Sequence, residues 1–77
     1  MAEYDICTSY HDDIFKKQCK ALELHIPSLI KGNLLQDVDG SWIQSYTLNG
    51  ERISVLNDVA LGVMIRTEVD IEQYFNN

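Results

Sequence analysis

The stretch SWIQSYTLNGERISVLN, residues Ser41–Asn57, decides the architecture. Asn49-Gly50 at its centre supplies the two residues that tolerate positive φ, as a two-residue type I′ hairpin turn requires. That turn sets Leu48 opposite Glu51, Tyr46 opposite Ile53, Gln44 opposite Val55 and Trp42 opposite Asn57. Side chains alternate between the faces of a strand, so Trp42, Tyr46, Leu48, Ile53 and Val55 share one face. Ser45, Thr47, Arg52 and Ser54 share the other, which is polar except at Ile43 and Leu56. A hairpin segregated in this way belongs to a sheet covered on one side.

The same punctuation continues outward. Asp39-Gly40 is a second hairpin dipeptide and Asn57-Asp58 a third, weaker turn candidate. They divide the region into runs 34–38, 41–48, 51–57 and 59–67, which read as an antiparallel meander. The last run is the anomaly. Val59, Leu61, Val63 and Ile65 lie on one parity, with Ala60, Gly62 and Met64 on the other. A strand so evenly apolar is buried on both faces or pairs with another chain, and Gly62 in its middle marks a bulge or a close backbone approach.

Upstream, a helix is expected from about Ser9 to Leu24. Ser9 and Asp12 have capping-box spacing, and Asp12 and Asp13 suit the positive end of the helix dipole. His11, Ile14, Phe15, Gln18, Cys19 and Leu22 fall on one arc, with Lys16, Lys17 and Lys20 opposite. Pro27 ends this helix and can begin a short turn through Ile30 that Gly32 stops. Downstream, Asp70 reads as the N-cap of a short C-terminal helix whose inward side is Ile71, Tyr74 and Phe75. The expected fold is α+β: one domain over residues 1–77, an N-terminal amphipathic helix packed on a three- to four-stranded antiparallel meander, and a short C-terminal helix.

Composition narrows the function. The 77 residues carry a net charge of −6, so phosphate neutralisation on DNA or RNA is disfavoured, as is an anionic membrane surface. There is no apolar run of membrane-spanning length and no signal-peptide pattern. With only two cysteines, the expectation is a cytoplasmic chain with reduced thiols.

Chemical motifs are sparse. The spacing of Cys7, His11, Cys19 and His25 matches no zinc framework. Asp37-Val38-Asp39-Gly40 lacks the further ligands of a calcium loop, with Leu48 where a glutamate would stand. Glycine-rich phosphate loops and nucleophile elbows are absent. No metal and no cofactor is expected. Cys7, just before the helix and four residues from His11, is the better candidate for a reactive thiol.

Two functions follow. The first is a small acidic protein-interaction module, an inhibitor of the phage or mobile-element type, occupying a basic surface of a nucleic-acid-binding protein. Its expected contact residues are Asp12, Asp13, Glu68, Asp70, Glu72 and Tyr74, with Tyr4 and Tyr10 as further aromatic anchors. The alternative is a small cytosolic enzyme or ligand-binding domain using Cys7 and His11. A homodimer formed through strand 59–66 is a structural variant of the first.

Overall fold

The computed structural model describes residues 2–74. Their order is β1 (Ala2–Cys7), α1 (Asp12–His25), β2 (Ile30–Gln36), β3 (Trp42–Leu48), β4 (Glu51–Asp58), β5 (Gly62–Thr67) and a 3-10 turn at Glu72–Tyr74. The strands form one antiparallel sheet in the order β1-β5-β4-β3-β2. The described residues are therefore α+β with five strands rather than three or four, and the additional strand is N-terminal. The expected inward position of Phe75 lies outside the described residues.

The central hairpin has the register its sequence dictates. Leu48 pairs with Glu51, Tyr46 with Ile53, Gln44 with Val55 and Trp42 with Asn57. Asn49 and Gly50 both adopt positive φ, at 54° and 84°, as a type I′ turn demands. The Asp39-Gly40 hairpin is built differently. Gly40 N–H donates to Asp37 O and Asp37 N–H to Ser41 O, so three residues, 38–40, form the loop, with Gly40 at φ 94°. β2 also begins earlier than the expected 34, because no helical turn follows Pro27; Ser28, at φ 64°, redirects the chain instead.

α1 starts later than expected. His11, not Ser9, is the N-cap, its Nδ1 accepting the Ile14 N–H at 3.3 Å. Ser9 Oγ lies 3.5 Å from Cys7 Sγ instead. Ile26 closes the helix in extended geometry, as Pro27 requires. Phe15 and Leu22, with Ile14 and Cys19 beside them, then pack on Tyr46, Ile53, Val55 and Val63 of the sheet. Leu22 is fully buried, so truncating it to alanine costs about 2–5 kcal/mol.

The third turn moves by two residues. Asn57 is a buried strand residue paired with Val63, and the reversal falls at residues 59–61. The Asp58 carboxylate forms it by accepting the Ala60 and Leu61 N–H groups at 2.8 and 2.9 Å. Val59 and Leu61 are consequently exposed turn residues rather than strand core. β5 itself lies between β1 and β4, which overturns the homodimer through strand 59–66, since both of its edges are already paired within the chain. Val63 and Ile65 belong to the core on one face and Met64 is buried on the other. Gly62 has φ 93°, and a Cβ there would meet the Cys7 carbonyl, so the close approach is that of β1 and its exit.

Candidate binding surfaces

The expected contact residues do not converge. Asp12 is tied to Asn57 near the C-terminal end of β4, where Asn57 Nδ2–H donates to its Oδ1 at 3.1 Å. Asp13 is exposed beside it in the first helical turn. Glu68 sits toward the opposite end of the same strand, its Oε1 accepting the Arg52 N–H at 2.8 Å. Arg52 and Asn57 are five residues apart, about 17 Å along a strand. Glu68 is thereby an edge-closing residue, extending the β4–β5 ladder by one further pair.

Asp70 and Glu72 lead to a different grouping. Asp70 Oδ1 accepts the Glu72 N–H at 3.0 Å, which starts the 3-10 turn. Burial raises the pKa of the Tyr4 hydroxyl above the ordinary tyrosine value, and the charges of Glu72 and Asp70 raise it further. The C-terminal carboxylates thus act through charge on Tyr4 of β1, whose Glu3 and Asp5 are exposed on the strand's other face. β1 is an outer strand with one side unpaired. The result is an acidic sheet edge assembled from both ends of the chain, in which Glu3 also pairs with Arg66 at 3.1 Å. Tyr74 is half-buried and packed against the core.

The alternative site at Cys7 and His11 is less favourable. The Ser9 hydroxyl and backbone N–H groups lower the pKa of the Cys7 thiol. A base for it would have to come from an imidazole whose Nδ1 already caps α1. Cys19 has the reverse bias, its pKa raised by burial. No cluster of three or more metal-ligating side chains occurs among the described residues, and no helix among them is long and apolar enough to cross a membrane.

A second surface was not anticipated. α1 covers one face of the sheet, and the other face holds a groove of about 690 Å³. Registers across four strands align Leu35 with Ile43, Ile43 with Leu56, and Leu56 with Met64, a continuous apolar row. The adjoining row is polar: Ser45, Ser54, Arg66 and Glu3. Beyond it, Thr47 pairs with Arg52. Ile43 and Leu56, the two exceptions on the polar face of the hairpin, were the sequence signal for this row.

No family model matches the chain, no curated protein is similar to it and no solved structure matches it.

Proposed function

We propose that the chain is a protein-interaction module, an inhibitor that acts by covering a basic surface of a nucleic-acid-binding protein. The observation that carries this reading is the acidic edge: Glu3 and Asp5 project from one face of an outer strand, and Asp70 and Glu72 act on Tyr4 at its other face. An outer strand offers unpaired backbone groups to an incoming strand or loop, and flanking carboxylates bias that partner toward lysine and arginine. The same carboxylates discourage two copies of the chain from pairing edge to edge, since like charges would be brought together. A net charge of −6 adds long-range attraction to a basic partner. Asp12 and Asp13, at the other end of the sheet, contribute to that field rather than to the contact.

The test is affinity capture from the native host with the wild-type chain and with a Glu3→Lys/Asp70→Lys/Glu72→Lys variant, both checked for folding. The wild type retains a basic partner at low salt and releases it at high salt, and the variant fails to retain it. Equal retention by both removes the acidic edge from the account.

A further inference from the structure

The uncovered face carries a gradient along its strands. At one end of the groove the floor is apolar, formed by Leu35, Ile43 and Leu56. Two residues further along come Ser45 and Ser54, then Thr47 and Arg52, with Arg66 level with Ser54. From Ile43 to Thr47 the change from hydrocarbon to cation takes about 13 Å.

The polar end is rich in uncommitted donors. The hydroxyls of Ser45, Thr47 and Ser54 hydrogen-bond to no described residue, and the Arg52 guanidinium forms no ion pair among them. Arg66 is engaged through one nitrogen, by Glu3, and its side chain is 49 % exposed. Both arginines of a chain with net charge −6 thus line one groove. The carboxylate that also lines it, Glu68, is held by the Arg52 N–H. Guanidinium groups and hydroxyls placed together match an acceptor-only, charged head group, and the apolar end matches a hydrocarbon tail. The volume is in the usual range of small-molecule sites.

We propose that this groove binds a small anionic amphiphile of the medium-chain carboxylate class, its chain on Ile43 and Leu56 and its head group between Arg52 and Arg66. This site meets the acidic edge at the Glu3–Arg66 pair but does not depend on the protein-interaction reading.

Titration of the whole chain with decanoate, followed by backbone amide shifts at neutral pH, tests the assignment, with decyltrimethylammonium as the cationic control. The expected result is saturable binding with shifts confined to residues 43–47, 52–56 and 64–68. Arg52→Gln/Arg66→Gln weakens it by at least about tenfold, through the loss of charge-assisted hydrogen bonds. Leu56→Glu, which places a carboxylate at the apolar end, weakens it comparably and serves as an independent variant should the double substitution fail to fold. Non-saturating or scattered shifts overturn the proposal. So does equal binding of the cationic amphiphile, or unchanged affinity in a folded variant of either kind. An Asp70→Lys/Glu72→Lys chain, which keeps the Glu3–Arg66 pair, separates the two sites if it loses its protein partner yet still binds decanoate.

Discussion

Asn57 Nδ2–H donates to Asp12 Oδ1 at 3.1 Å, and Asn57 Oδ1 accepts the His11 N–H at 3.0 Å. One fully buried amide in β4 therefore fastens both the N-cap and the first residue of α1 to the sheet. Both halves of the amide are matched, donor to carboxylate and acceptor to N–H, so the polar group is buried without an unsatisfied atom.

Asn57→Ala removes both partners and strands the His11 N–H, so we expect a loss of about 2–3 kcal/mol. The corresponding fall in Tm is roughly 10 °C or more for a domain of this size. Asn57→Asp places a second carboxylate against Asp12 and is more harmful at pH 7 than at pH 4, where carboxylates begin to protonate. Urea unfolding at the two pH values checks both, and an Asn57→Ala variant within 0.5 kcal/mol (roughly the scale of a neutral surface change) contradicts the role given to this side chain.

Gly62→Ala should be among the most damaging single substitutions. The residue has φ 93° and its new Cβ would meet the Cys7 carbonyl and the backbone that follows it. Left-handed backbone alone costs an alanine about 1–2 kcal/mol, and relieving the backbone clash adds to it. The expected signature is loss of hydrogen-exchange protection in β1 before the rest of the sheet, because β1 pairs only with β5. Uniform loss across all five strands would show that β1 does not open separately.

These two residues also mark what could be read from the chain and what could not. The hairpin at Asn49-Gly50 was legible to the residue because turn chemistry and face segregation agree. Asn57 was read as a turn former by local preference, yet it is buried, and its partners come from the start of a helix 45 and 46 residues away. β1 escaped notice although Glu3 and Asp5 alternate with Ala2, Tyr4 and Ile6 as in a half-buried strand: no turn dipeptide joins it to a neighbouring strand, and its partner is β5, near the other end of the chain. The acidic edge is invisible without that pairing. Likewise, Ile43 and Leu56 looked like exceptions on a polar face until the registers of β2 and β5 joined them to Leu35 and Met64.

Tyr46 gives the fold an alkaline limit. Its hydroxyl donates to Glu23 Oε2 at 2.7 Å and lies 3.4 Å from the Cys19 carbonyl. Burial first, then the bond to Glu23, raises its pKa far above that of a free tyrosine. A raised folded pKa means that the native state binds the proton more tightly than the unfolded chain does. The contribution is fully present below about pH 10, the unfolded value, and is lost as pH rises from there toward the higher folded value. Stability measured by urea from pH 8 to 12 should fall beyond pH 10. Tyr46→Phe should cost about 1–2 kcal/mol at pH 7 and flatten that decline, whereas an unchanged alkaline slope would assign it to other groups.

Tyr4 reports the acidic edge directly. Because Glu72 and Asp70 raise its pKa, Asp70→Asn/Glu72→Gln should lower it toward the ordinary tyrosine value without reaching it, since burial persists. Titration of the Tyr4 ring signals by NMR reads this. No movement would place the C-terminal carboxylates away from β1.

The most direct measurement of the central claim is the association rate of the captured partner as a function of ionic strength, for the wild-type chain and for Glu3→Lys/Asp70→Lys/Glu72→Lys. If the acidic edge steers a basic partner, the wild-type rate falls by about tenfold or more from low to high salt. The variant starts slower and responds weakly to salt. Two chains with the same rate and the same salt dependence would contradict the account.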